Sequence, residues 1–175
     1  MKKLKYTLIG VVVAVVVVII YLENYKMENS YSTVEEALQN SEFTSLEVQE
    51  VIKIIEEQEY SYVVYYTQLE NPKDYIAMAR FQKNRHGWLS LDQVGVAPIE
   101  GSETGDFTGN DNEYFIGIAK GDIAGVKLGS KDAILIPLNE KGIKIWFFHQ
   151  PSVEVFDEKG IQFLDKEGNI VDSRN

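Results

Sequence analysis

The segment LEVQEVIKIIEEQEYSYVVYYT, residues 46–67, admits two readings. Val48, Val51, Ile52 and Ile55 lie at helical spacing, whereas Val48, Ile52 and Ile54 follow strand alternation imperfectly. β-Branched residues dominate, and the polar EEQE at 56–59 leads straight into YSYVVYYTQ, so we read two strands joined as a hairpin. In the second strand Tyr60, Tyr62, Val64 and Tyr66 point one way, and Ser61, Val63, Tyr65 and Thr67 the other. Each set is apolar in part, so both faces of the sheet are expected to be covered.

The pattern continues downstream. ENPKD (70–74) and KNRHG (83–87) carry turn chemistry around DYIAMARFQ, with GWLSLDQV following, which makes an antiparallel meander. Residues 95–113, GVAPIEGSETGDFTGNDNE, combine four glycines, a proline and several acids without periodicity. They read as a long exposed loop or as a seam between two halves of the domain. Beyond it YFIGIAK, GVKLG, AILIPL, IKIWFFH, VEVF, IQFL and NIVD are short strands. Three turns, at Asn139–Gly142, Asp157–Gly160 and Asp165–Gly168, place Asn or Asp three residues before glycine. The first two are expected to close hairpins and the third to end the fold in another.

Upstream, Ser32 with Glu35 or Thr33 with Glu36 forms a capping box, and Val34, Ala37 and Leu38 share one face of a short helix. Phe43 is expected to close its far end. Before that stands the uncharged run Tyr6–Leu22, YTLIGVVVAVVVVIIYL, which as a helix reaches about 26 Å. In hydrocarbon every backbone polar group must be satisfied within the segment, so helix is imposed despite the valines. Tyr6, Leu8, Val12, Val16, Ile20 and Tyr21 are read as anchor residues in contact with lipid. Lys2, Lys3 and Lys5 precede the run and place the N-terminus in the cytoplasm, with everything after Leu22 outside. The exit YLENYKMENSYS lacks the small-x-small pattern of a cleaved signal peptide. The expected organisation is a stub and anchor over 1–22, a linker over 23–31, and an extracytoplasmic domain over 32–175. The fold class is α+β, mostly β: a transmembrane helix, one short helix, and antiparallel sheets in meanders and hairpins, sandwich-like.

Composition sets outer limits. The 175 residues are 45% hydrophobic and 25% charged, which is globular material. Formal charge is −10, and the excess lysines at the start leave −13 on residues 27–175, so nucleic acid is not an expected partner. The absence of cysteine excludes disulfides and thiol chemistry. No phosphate loop, nucleophile elbow or zinc-protease motif is present. His86 reads as a solvated turn residue, His149 as a surface residue at a strand end, and Trp146 as core. Asp106, Asn110, Asp111 and Glu113 offer oxygen ligands for a weak Ca²⁺ site without matching a calcium signature, and otherwise no cofactor is expected. Tyr60, Tyr62, Tyr66 and Trp88 offer an aromatic binding surface, against the alternative of cross-strand packing.

A lysine-start anchor, the helix STVEEALQN, and β-rich halves ending KIWFF and FLDKEGNIV together resemble the small single-pass extracytoplasmic proteins common in Bacillus-like Firmicutes. The likeness covers the whole chain. It implies a compartment and carries no catalytic residue across. The expected function is a membrane-tethered binding or assembly domain, with membrane lipid and an envelope protein or polymer as partners. The alternatives are an envelope hydrolase using carboxylates beside 95–113, or a Ca²⁺-responsive module.

Overall fold

The computed structural model describes residues 2–41, 46–110, 113–138 and 142–174. Helix α1 (Lys2–Glu28) is followed by β1 (Ser30–Tyr31), α2 (Val34–Gln39), β2 (Glu50–Glu57), β3 (Tyr60–Thr67), β4 (Tyr75–Asn84) and β5 (Gly87–Pro98). Then come β6 (Phe107–Asn110), β7 (Tyr114–Lys120), β8 (Gly125–Leu128), β9 (Lys131–Asp132), β10 (Ile134–Pro137) and β11 (Ile143–His149). Helix α3 (Val153–Lys159), β12 (Ile161–Leu164) and β13 (Ile170–Arg174) complete the chain. The fold is α+β and mostly β.

Three antiparallel sheets form, ordered β1-β5-β4-β3-β2, β10-β11-β7-β6 and β13-β12-β8-β9. The first is the expected meander with β1 added at its edge. Its inner face, from Tyr62, Val64, Ile76 and Met78, packs on Ile116, Ile118, Ile145 and Phe147 of the second. Its outer face, from Val63, Tyr65, Ala79 and Phe81, is covered by Val34, Ala37 and Leu38 of α2. The second sheet's other face, Phe115, Ala119, Trp146 and Phe148, packs on the third sheet and on Val155 and Phe156 of α3. Helix, sheet, sheet and sheet thus stack in layers, which explains why YFIGIAK and IKIWFFH are apolar on both alternations.

Several expectations change. The imperfect alternation of 50–57 is a bulge: Val51 opposes Tyr65 and Lys53 opposes Val64, so Ile52 is the extra residue. Residues 23–28, expected as linker, continue α1, and Ser30–Tyr31 pair with Trp88–Leu89 of β5. The segment 95–113 is not one long loop, since β5 runs through Pro98 and β6 begins at Phe107. Two of its glycines are strand glycines: a Cβ on Gly95 would meet the Tyr75 ring at 2.9 Å, and one on Gly109 the Phe115 ring at 2.4 Å. VEVF is helix α3, capped by Ser152 Oγ accepting from Val155 N–H at 3.3 Å. Gly160 at φ +61° then ends that helix, so Asp157–Gly160 is no hairpin. Asp165–Gly168 does join the antiparallel pair β12 and β13. β10 and β11 also pair, while Asn139 to Lys141 of their turn, and Phe43, lie outside the described residues.

Thr33 is the N-cap of α2, its Oγ1 accepting from Glu36 N–H at 3.1 Å. The Glu36 carboxylate reaches one residue further back, accepting from Ser32 N–H at 3.2 Å and Ser32 Oγ at 2.6 Å. Gly10–Glu28 of α1 is long and apolar enough to cross a membrane, and none of it is buried.

Candidate functional site

The densest polar chemistry lies between the first and second sheets. Strand alternation points Tyr60 and Tyr62 of β3 and Arg80 of β4 inward, towards Tyr114 and His149 at one end of β7 and β11. Arg80, 7% exposed, donates to Asp92 (Nη2 to Oδ2, 2.7 Å; Nε to Oδ1, 3.3 Å) and pairs with Glu113 through Nη1 at 2.6 Å. Its guanidinium carbon stands 5.6 Å from the centre of the Tyr114 ring. Burial works against the arginine's charge, but the two carboxylates outweigh it and raise its pKa.

Tyr62 Oη meets His149 Nδ1 at 2.8 Å. Among the described residues His149 Nε2 has no hydrogen-bond partner. Desolvation lowers the His149 pKa, and nearby Lys131 adds to this, while Glu57 and Glu59 oppose it. Burial pushes the Tyr62 hydroxyl well above its ordinary range and Tyr114 up to about 12. The space these side chains enclose with Gln150 is about 30 Å³. That is one water's volume, too small for a substrate, so the cluster works as a polar clasp between sheets.

Larger concave surface lies at the opposite end of β4. The turn Leu69–Asp74 and the segment Pro98–Glu100 frame a groove of about 580 Å³. A second depression of about 270 Å³, lined by Ile99, Glu100, Gly101, Lys120 and Ile143, adjoins it. The groove's walls are built by hydrogen bonds. Asp74 accepts from the N–H groups of Leu69 (2.8 Å), Glu70 (3.0 Å) and Asn71 (2.8 Å), which together hold its carboxyl below the usual carboxylate range, the Asn71 bond contributing most. Ile99 N–H donates to Asp74 O at 2.9 Å, tying the two walls together. Leu69 stays 60% exposed, so an apolar side chain is presented among the carboxylates of Glu70, Asp74 and Glu100 and beside the ammonium of Lys73, which pairs with Glu50.

The residues singled out from sequence are dispersed. Tyr62 and Trp88 are buried at 1% and 9% exposure, and they lie on opposite faces of the first sheet. Tyr60 and Tyr66 pack against the inner core beside Tyr62. The four therefore make no common surface, and cross-strand packing explains them. His149 is buried rather than exposed, because β11 ends under Tyr60 and Tyr62. His86 lies 3.5 Å from Glu23, and Trp146 is fully buried. Of the oxygen set, Asp111 lies outside the described residues. Asn110 donates to Glu113, whose carboxylate is held by Arg80, while Asp106 accepts from Glu103 N–H at 2.7 Å on the far side of β6. Among the described residues no group of three or more His, Cys, Asp or Glu side chains is placed to hold a metal. Tyr6 and Leu8 fall within α1, and Val12, Val16, Ile20 and Tyr21 are all exposed on it. The clasp and the groove were missed, because each joins residues more than twenty positions apart.

No protein-family model, curated protein or solved structure matches the chain.

Proposed function

We propose that this chain is a membrane-tethered binding or assembly domain at the outer face of the cytoplasmic membrane, of the kind found among small single-pass proteins of Bacillus-like Firmicutes. The observation that carries the reading is an apolar helix with no buried residue, joined within two residues to a folded β domain. A helix of that composition has no counterpart surface on its own domain, and lipid supplies one. The lysines at positions 2, 3 and 5 favour a cytoplasmic N-terminus.

The groove at Leu69–Asp74 and Pro98–Glu100 is the binding surface. Arg85, at the other end of β4, contacts Glu23 of α1. The ten residues of β4 separate the two ends by about 33 Å, so the groove faces away from the bilayer. Its exposed leucine, flanked by charges of both signs from Glu70 and Lys73, suits an apolar segment with polar flanks from an envelope protein or polymer.

In-cell crosslinking from a photoreactive residue at position 72 should trap a discrete partner, and Leu69→Asp should reduce the yield about tenfold, the loss expected for one apolar contact. Recovery of no partner, together with turnover of an envelope substrate by the purified protein, would overturn the reading. Protease added to intact spheroplasts should degrade the β domain; protection would reverse the topology.

A further inference from the structure

The β4–β5 turn folds back onto the end of α1. Arg85 Nη2 lies 2.5 Å from Glu23 Oε2, and His86 Nε2 lies 3.5 Å from the same oxygen. Glu23 is the first charged residue after the apolar run ends at Leu22. Whatever touches its carboxylate therefore sits at its depth, one residue beyond a hydrocarbon-length segment. In the anchored arrangement that depth is the headgroup layer.

The turn is built to meet anions there. Arg85 donates from Nε to His86 Nε2 at 3.0 Å and from Nη2 to Glu23, yet its side chain stays 70% exposed, and of the five N–H donors of a guanidinium those on Nη1 remain for phosphate. Lys83 is exposed too, its ammonium 5.4 Å from the centre of the Trp88 ring, which fixes it on the same hairpin. Asn84 braces the turn by donating to Ser30 Oγ at 2.9 Å and accepting from His86 N–H at 2.7 Å. Lys26 stands one helical turn beyond Glu23. From Tyr75 to Leu91 the sequence contains no acid, although the chain beyond residue 26 carries −13.

We propose that the Lys83–Gly87 turn is a second membrane contact, a basic foot that binds the phosphates of anionic phospholipids in the bilayer that α1 enters. The inference rests on the anchored reading above and deepens it. At physiological salt the leaflet's field decays over about 8 Å, so the charges beside the turn decide the balance: Lys83, Arg85 and Lys26 are drawn in, while Glu23, paired with Arg85, and Glu59, whose carbonyl accepts from Lys83 N–H at 2.7 Å, oppose them. The foot thereby sets the tilt of the domain and holds the groove outward.

The test uses full-length protein in vesicles of phosphatidylglycerol or of phosphatidylcholine, each with a trace of the same lipid bearing a headgroup diazirine. In phosphatidylglycerol, photolabelling should appear on residues 83–88 as well as at the end of α1. It should fall at least fivefold in phosphatidylcholine and in the K83Q/R85Q variant, and persist in R85K. Equal labelling of 83–88 in the two lipids, or no labelling there in either, overturns the foot whether or not the double variant folds. Labelling of residues 10–22 from an acyl-chain diazirine is read in parallel. Its absence would instead overturn the anchored reading.

Discussion

His149 shows what burial does to one side chain. Its Nδ1 is engaged by Tyr62, Lys131 donates to its carbonyl oxygen, and the imidazole is held neutral by desolvation. Because its folded pKa lies below the ordinary 6.5, the unfolded chain takes up a proton first as pH falls. Stability is therefore complete above 6.5, declines as pH drops towards the folded pKa, and levels off once both states are protonated. Chemical denaturation between pH 7.5 and 5 should show this decline, with a slope of at most about 1.4 kcal/mol per pH unit from this group. His149→Gln, whose amide can bond the Tyr62 hydroxyl in either direction, should flatten it; an unchanged profile would mean other groups govern the window. Arg80→Ala leaves Asp92 and Glu113 without their shared cation. The cost should be about 2 kcal/mol, below that of a fully buried pair because both carboxylates reach solvent. Urea unfolding in detergent would measure it.

Elements succeed or fail on local geometry that side chains alone do not announce. α2 was legible because a cap and an i, i+3, i+4 stripe agree, and Thr33→Ala should cost about 1 kcal/mol through the lost cap. β2 was legible in kind but not in register, since a bulge inserts Ile52 and breaks the alternation that marks a strand. VEVF misled because four residues alternating in polarity fit a strand until Ser152 and Gly160 are seen to cap both ends of a helix. Glycine misled in the same way at 95–113. Gly117 shows the other use of the residue: a Cβ there would meet Asp106 O at 2.4 Å and the Trp146 ring at 2.5 Å. Gly117→Ala should separate β6 from β7 and lower stability by about 1–3 kcal/mol. Gly121→Ala, with nothing within 4 Å but φ +70°, should cost about 1–2 kcal/mol through backbone strain alone, and thermal melts of the two variants would rank them.

At the scale of the molecule, the described residues form three sheets and two short helices around three apolar clusters, and Gly10–Glu28 of α1 stands outside them with none of its residues buried. Deleting residues 2–22 should move the chain from the membrane fraction to the soluble one, as the anchored reading requires; retention in membranes would mean another attachment. The apolar helix, the mostly β class, the meander and most strand positions were readable from the residues alone, because polarity period and turn chemistry are local and survive without a partner. The sequence by itself could not determine that β7 and β11 lie between two sheets, that Tyr62 finds His149, or that Arg80 gathers Asp92 and Glu113. Nor could it bring Leu69 beside Ile99, or Arg85 beside Glu23. Those pairings depend on which strands become neighbours, and that choice is made by burying all faces at once, a property of the whole chain rather than of any window along it.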